Sequence, residues 1–566
     1  MNSNNTTNIL IPVACALAFY CLLRFAQSVY NSLTSPLRDM PGPPSPSFVL
    51  GNFKAMAEDS SLTSQWRDQF GRNFRFRSLF GRMELHTSDI KAVNHIVMNN
   101  AVYEKVPSNL DVSKYLLGNG VFSVEKEEHK RQRRIMNQAF APSQIRLLTE
   151  MFTEKAIRLR DIWANQLIGK PEGATLDVSA WFRRVTLDVT IGEAGNLISA
   201  YIGFNYSFNS LTAHAHEQPN QMQDAFTRLI HSPRAQLYAG FRTAQAMAPI
   251  LKFVPVPGRQ VANDARDTMK RIADHIISGS KAELAAEAQS KDTAASASLK
   301  GKRDLLSVLL KSNIAAEALP ESQRMSDAEL AAQIPTFLFA GHETTSTAAS
   351  WTLHALSLHP TVQTKLRDDL LTLATTENPT MDELNALPYL ECVVRETMRL
   401  YAPVHFAQRV VVQDDVIPLS NTYIDKRGKE HQSLVMRQGQ VIHVPILAVN
   451  TDPEIWGEDA LKFIPERWEN PQALPAASSS IPGVYTHLLT FFGGVHNCIG
   501  YRFALVELKA IIFTLVRAFE FAPAVPSEDV VPQAVGLISR PAVVGKDMSK
   551  KAGLPLVIKA YNADGY

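Results

Sequence analysis

The stretch Phe491-Phe492-Gly493-Gly494-Val495-His496-Asn497-Cys498-Ile499-Gly500 decides how the rest of this 566-residue chain is read. It places two aromatic residues, three glycines and one cysteine directly before an amphipathic helical pattern running from Ile499 to Phe519. Glycine lets a backbone pass close to a flat group, and Gly500 leaves the far side of the sulfur uncrowded. Amides and dipole at the start of the following helix favour a thiolate at Cys498. The other cysteines read differently. Cys15 and Cys21 fall in an apolar N-terminal run, and Cys392, in Glu391-Cys392-Val393-Val394, reads as a small buried hydrophobe. Four cysteines in a chain this long exclude a disulfide framework.

Working outward, 45% hydrophobic and 20% charged residues exclude a disordered protein, while 32 prolines and 27 glycines are too few for a fibrous one. Fifty-seven basic against 55 acidic residues leave +2, so no global field points to nucleic acid. Ile9 to Leu23 carries no charge, and with Phe25 to Tyr30 and a snorkelling Arg24 it reaches the length of a membrane span. Arg24, Arg38 and Lys54 follow it and no Lys or Arg precedes it, so the positive-inside rule puts the short N-terminus in the lumen and the body in the cytosol. Residues 1–30 are therefore expected to be a lumenal tail and transmembrane anchor. Residues 31–46, with Pro41-Gly42-Pro43-Pro44-Ser45-Pro46, form a proline-rich hinge, and 47–566 a single body. The sequons at Asn4–Thr7 and Asn205–Ser207 are read as unused.

The body is expected to be mainly helical with small sheets. Long helical patterns cover Leu330 to Leu358 and Ile499 to Phe519; strand-like runs are Phe74 to Leu79, Arg409 to Val412 and Val441 to Val444. Ala282 to Lys302 reads as an exposed, mobile connection, and Pro335 as a kink in the long helix. Mid-way along that helix, Ala340-Gly341-His342-Glu343-Thr344-Thr345 puts small residues and a hydroxyl on one face. It is no zinc motif, since a second histidine would be needed where Ser346 stands. Glu396-Thr397-Met398-Arg399 pairs a carboxylate with a guanidinium three residues on.

A thiolate held by turn amides beside apolar rings suits an axial haem ligand. Here the sequence resembles the cytochrome P-450 family, whose cysteine loop runs Phe-x-x-Gly-x-Arg-x-Cys-x-Gly; Phe491, Gly494, Cys498 and Gly500 match, and His496 replaces the Arg. The likeness extends from about Pro41 to Lys559 and includes the Ala340–Thr345 segment, the Glu396–Arg399 pair and Phe463-Ile464-Pro465-Glu466-Arg467-Trp468. It implies the family's fold behind the anchor and haem b on Cys498. Glu343 and Thr344 are implied as the proton-supplying acid–alcohol pair, Ala340 and Gly341 as the room beside the haem, and Glu396, Arg399 and Arg467 as a buried structural cluster. Arg133 and Arg409 match positions that hold the haem propionates, and His129 stands where the family usually has Trp. Imidazole still donates to a propionate, but its charge depends on pH where that of Arg does not.

The resemblance also implies a distal pocket between Val106 and Val121 that includes Val112 and Leu116, with Phe337, Pro403 to Phe406 and a hairpin tip at Asp547 to Gly553. Leu116, Phe337, Val404 and Phe406 describe an apolar space for a lipophilic molecule such as a terpenoid, sterol or polyketide. Lys126, Lys130, Arg131, Arg133 and Arg134 form a basic helix that the family turns towards an acidic reductase. No dinucleotide or phosphate-loop motif is present, so electrons from NADPH would come through a separate membrane-bound reductase. The expected activity is a haem-thiolate monooxygenase of the endoplasmic reticulum membrane, resembling fungal microsomal members and acting in secondary metabolism. The rivals are an oxygen-independent hydroperoxide isomerase or dehydratase, which often lacks the threonine found here at 344, and a non-catalytic haem- or lipid-binding protein.

Overall fold

Short strand-forming runs set among long helical patterns leave little sheet to build, and the computed structural model contains small sheets only. It describes residues 33–191 except 48 and 59–61, residues 221–230 and 258–289, and residues 324–561 except 374–375 and 546–549, with a few shorter pieces. In chain order the first strands are β1 (Asn73–Arg77), β2 (Met83–Thr87), β3 (Tyr103–Glu104) and β4 (Ala174–Asp177). Then come β5 (Ala407–Val411), β6 (Asp415–Ile424), β7 (Glu430–Met436), β8 (Val441–Val444) and β9 (Phe519–Pro523). The last are β10 (Val530–Val535), β11 (Ile538–Val544), β12 (Lys550–Ala552) and β13 (Pro555–Ala560). The helices that matter below are α1 (Lys126–Ala139), α2 (Pro142–Leu167), α3 (Val178–Ile191), α4 (Asp327–Phe337), α5 (Glu343–Leu358), α6 (Pro360–Leu371), α7 (Pro388–Leu400) and α8 (Tyr501–Ala518).

The chain groups into two compact units. The first, residues 1–112, 232–261 and 406–445, holds a five-stranded sheet in the order β1-β2-β8-β5-β3 and the hairpin β6–β7. Antiparallel β1–β2 and parallel β2–β8 pairings set its register, Phe74 opposite His86 and His86 opposite His443. Trp66, Phe74 and Phe76 form its aromatic core. The strand expected over Phe74 to Leu79 stops at Arg77, because Ser78 leads into a tight turn with Phe80 at φ +58°. Strand β5 starts two residues earlier than expected, and β8 spans the expected residues.

The second unit, residues 113–231, 262–405 and 446–566, carries the helical body and the sheets β10-β11-β12 and β4-β13-β9. Helix α5 packs against α3, α6, α7, α8, β9 and β11, so every residue from Thr345 to Ser357 is buried. A buried helix so rich in Ser and Thr has to satisfy its hydroxyls internally. Ser350, Thr352 and Ser357 donate to carbonyls three or four residues back, at 2.7–2.8 Å.

Ser326 and Glu329 form a reciprocal cap that starts α4. Pro335 has no N–H for the carbonyl four residues back, and the expected kink takes the form of a single π turn at Leu338–His342 between α4 and α5. Residues 282–289, expected in a mobile connection, are the last turns of a helix, Arg259–Gln289, as their Ala- and Glu-rich composition favours; 290–302 lie outside the described residues.

Among the described residues no helix is long and apolar enough to cross a membrane. Cys15, Cys21, both sequons and most of the Ile9–Leu23 run lie outside the described residues. Those described at 19, 20, 22 and 23 are helical, with exposed Phe19, Tyr20, Leu22 and Leu23.

Candidate functional site

The cysteine loop closes on itself. Cys498 N–H donates to the Phe491 carbonyl at 2.9 Å, and Val484 N–H to the Phe492 carbonyl at 2.9 Å. The loop needs left-handed backbone at Gly494 (φ +63°), which glycine adopts without strain, and also at Phe492 (φ +56°). Phe491 is part-buried and packs edge-on against Tyr485, ring centroids 5.8 Å apart. Cys498 is exposed along its line of approach and enclosed at longer range. Burial therefore pushes the thiol up from its ordinary value, while a backbone N–H from Gly500 and the nearby Arg133 pull it down. A Cβ at Gly500 would meet the Phe140 ring at 3.5 Å.

In the same unit the π turn opens a notch in a helix that is otherwise closed. Ala340 is exposed and Phe339, Gly341 and Thr344 part-exposed, between buried Leu338 and buried Thr345. The Thr344 hydroxyl donates to the Ala340 carbonyl at 2.6 Å, so its oxygen presents lone pairs to the open side. Glu343 points elsewhere: it is 1% exposed, ion-paired with Arg540 of β11, with His342 Nδ1 3.3 Å from its Oε1. The Glu343–Thr344 pair is thus split between two surroundings, one buried and charged and one open.

Glu396, Arg399 and Arg467 come together. Arg399 grips the Glu396 carboxylate with two parallel bonds, Nε–Oε2 2.9 Å and Nη2–Oε1 2.8 Å, and Arg467 Nε lies 3.4 Å from Oε1. Ile464 N–H at 3.0 Å and Trp468 Nε1 at 2.9 Å complete the shell of Glu396. The other N–H groups of Arg399 reach the carbonyls of Asn450, Ala460 and Lys462. Glu396 and Arg399 are both fully buried.

Helix α1 corrects the sequence expectation of one basic face. Lys126, Lys130 and Arg134 are exposed, but Arg131 turns in to Glu329 and Arg133 to the side chain and carbonyl of Asn497, the latter at 2.6 Å. Each finds a part-buried acceptor that spacing along a helix cannot reveal. His129 and His496 meet with ring centroids 4.5 Å apart, and His496 Nε2 sits 3.2 Å from Glu125 Oε2. The expected propionate histidines thus form one cluster with a carboxylate the sequence reading passed over.

The remaining candidates divide between the units. Leu116, Phe337 and Val404 belong to the second; Leu116 and Val404 are part-buried, and Phe337 is buried with its ring 5.8 Å from that of Phe140. Val112, Phe406 and Arg409 belong to the first, where Phe406 stacks on His443 at 4.2 Å and Arg409 Nη1 donates to the Gln408 carbonyl at 2.8 Å. Residues 547–549 of the expected hairpin tip lie outside the described residues. The sequence reading missed Arg540, Glu125 and a second buried glutamate, Glu507 of α8, neither of whose oxygens has a hydrogen-bond partner among the described residues. Arg540-Pro541 within a strand was the one local signal, a basic residue where a buried apolar one is usual.

The donor set fits a haem. A reachable sulfur receives a backbone N–H, an arginine lies beside it, an aromatic ring flanks its loop, and the same unit offers a helix notch lined by Ala340, Gly341 and Thr344. The family model described as Cytochrome P-450 matches residues 41–544. Cytochrome P-450 monooxygenase 205 of Postia placenta is 42% identical over 560 residues, covering 98% of each chain. Cytochrome P-450 monooxygenase 128 of the same fungus is 43% identical over 530 residues, 93% of each. Cytochrome P-450 monooxygenase claP of Ampulloclitocybe clavipes is 32% identical over 529 residues, 92% of this chain and 93% of that one.

Proposed function

The chain belongs to the cytochrome P-450 family and is an oxidoreductase of the monooxygenase kind, and on that footing we propose a membrane-anchored haem-thiolate enzyme that oxygenates a lipophilic substrate. One atom of O₂ enters a C–H bond or double bond, and two electrons and two protons carry the other to water. The proposal assigns haem b to Cys498 and draws the electrons from NADPH through a separate membrane-bound reductase. It places the anchor within residues 1–30, the body on the cytosolic side of the endoplasmic reticulum, and the pathway in fungal secondary metabolism, with a terpenoid-like substrate. Fungal relatives and the apolar character of Leu116, Phe337, Val404 and Phe406 support that reading. When bound, haem supplies the electron store and the site of O₂ activation.

The chain's own residues do the rest. Gly500 N–H and Arg133 stabilise the Cys498 thiolate. Ala340 and Gly341 leave space in the notch, and Thr344 holds its oxygen open to accept a hydrogen bond there. Glu343, on the next face of the helix, holds or passes a proton one residue away from Thr344. Arg399 and Glu396 tie α7 to the carbonyls around Ala460 and so hold the segment that leads to the cysteine loop.

The observation that carries this reading is the reachable sulfur of Cys498 beneath a backbone donor. The test is the reduced, carbon-monoxide-bound difference spectrum of wild type and Cys498→Ser, followed by NADPH-driven oxygenation with added reductase. A red-shifted Soret band lost in the variant is expected. An unchanged spectrum in Cys498→Ser refutes thiolate ligation, and oxygen-independent rearrangement of a hydroperoxide would establish the isomerase instead.

A further inference from the structure

Two glutamates are buried on adjoining helices, and the structure treats them in opposite ways. Glu507 of α8 is fully buried with the Thr345 hydroxyl as its polar neighbour; neither carboxyl oxygen, nor Thr345 Oγ1, has a hydrogen-bond partner among the described residues. Burial pushes its carboxyl well above the ordinary range, with the Thr345 hydroxyl acting in the lowering direction. Glu343 of α5 is as deeply buried, but Arg540 pairs with it and is itself 9% exposed.

The arginine is held where it is from several directions. Strand β11 bonds through Ser539 N–H to the Pro403 carbonyl at 2.8 Å and makes a bridge between Ile538 and Val404. The indole of Trp351, on α5 itself, donates to the Ser539 carbonyl at 3.0 Å. The residue after the strand's turn is fixed too, His405 Nδ1 lying 3.1 Å from the Leu537 carbonyl. The other charged or titratable groups around the pair are His342, whose Nδ1 is 3.3 Å from Glu343, and Arg183, which acts on Arg540 from α3. Thr344 lies one helix step, about 100°, from Glu343.

Resting on the reading of Glu343 as the proton-handling carboxyl, we propose that Arg540 is its positioning residue: it keeps Glu343 an ionised carboxylate, turned to strand β11 and able to accept a proton. The transfer balances simply. Glu343 gains a proton from water as the Arg540 contact loosens and returns it towards Thr344, regaining its charge and its partner. Without the guanidinium, burial shifts a carboxyl this deep towards its protonated form, the direction burial drives at Glu507. Proton supply to the notch then slows, and O₂ that takes up two electrons and two protons without O–O cleavage leaves as hydrogen peroxide.

The test uses the full-length haem-loaded protein without substrate or reductase. Infrared difference spectra of Arg540→Met minus wild type at neutral pH should show an added protonated-carboxyl band, shifted in D₂O and absent when Glu343→Gln is added. Arg540→Lys should show no such band. With substrate and reductase, Arg540→Met should lose about 10-fold or more in product per NADPH, with Arg540→Lys recovering most of it. Unchanged thiolate spectra certify the fold, and Arg540→Gln replaces Arg540→Met if the latter does not retain haem. Absence of the band in a haem-loaded Met or Gln variant overturns the proposal, and so does a band that survives Glu343→Gln. Because that reading needs no turnover, it fails or stands separately from the monooxygenase assignment.

Discussion

Truncating Glu396 or Arg399 should each do heavy damage, and both together should do less than their sum. Arg399 is fully buried, and breaking such a pair from one side costs about 3–5 kcal/mol because the surviving charge is stranded. Glu396→Ala also strands Ile464 N–H and Trp468 Nε1, each about 1–3 kcal/mol when buried and unmet, for a total of about 5–11 kcal/mol. That approaches the whole stability of a typical domain. Arg399→Ala leaves Glu396 still holding Ile464, Trp468 and Arg467, but strands the carbonyls of Asn450, Ala460 and Lys462, so its cost likewise exceeds the about 3–5 kcal/mol of the broken pair. The double variant Glu396→Met/Arg399→Met removes both charges at once and should be less harmful than additivity by at least about 2 kcal/mol. Urea unfolding of each variant, followed by tryptophan emission and by haem retention, measures the four corners of the cycle. Trp456 and Trp468 stand in the cluster as local reporters; the Trp456 ring lies 5.1 Å below the Arg399 guanidinium. Strictly additive single costs, or a Glu396→Ala protein within about 2 kcal/mol of wild type, would refute the reasoning.

Acid should destabilise the protein through buried imidazoles. Burial, with His359 nearby, lowers His354 to about 4, and burial lowers His405 to about 4 against a raising bond to the Leu537 carbonyl. The unfolded chain takes up these protons first, so the stability they carry is complete above the ordinary imidazole range and is lost as pH falls from about 6.5 to about 4, up to about 3 kcal/mol each. His354→Gln should flatten the fall in urea midpoint over that window, and an unchanged slope would show that the ring titrates normally. Reductase-driven turnover should decrease as salt rises while peroxide-driven turnover stays level, since Lys126, Lys130 and Arg134 are the exposed bases of α1. Lys130→Glu should weaken the first and leave the second; equal effects on both would remove this helix from docking.

Local chemistry explains what could be read ahead of the structure. The cysteine loop announces itself because left-handed backbone at position 494 demands glycine and the sulfur demands an uncrowded neighbour at 500, both written within ten residues. Glu396 and Arg399 sit three apart on one helix, so their pairing follows from helical geometry alone. The π turn was half legible: Pro335 signals a disturbance, but where the helix widens depends on which side chains need room at 339–344. Where Arg131 and Arg133 turn cannot be read along the helix, because their acceptors, Glu329 and Asn497, stand 198 and 364 residues away.

That distance separates the two halves of the candidate site. The sulfur side is made by consecutive residues whose requirements are conformational, and such requirements leave glycines in the sequence. The proposed proton side is made by Glu343 and Arg540, contributed by α5 and β11 and brought together only by packing. Nothing near Glu343 in the sequence tells how its carboxyl is held, since the same residue type is buried without an ion pair at 507, where burial raises its pKa, and ion-paired at 343. The difference is one guanidinium, placed by a strand that also bonds to Pro403 and Trp351. Charge state inside a protein is a property of the tertiary surroundings, and two carboxyls with identical intrinsic chemistry take opposite roles once one is given a cation and the other is not.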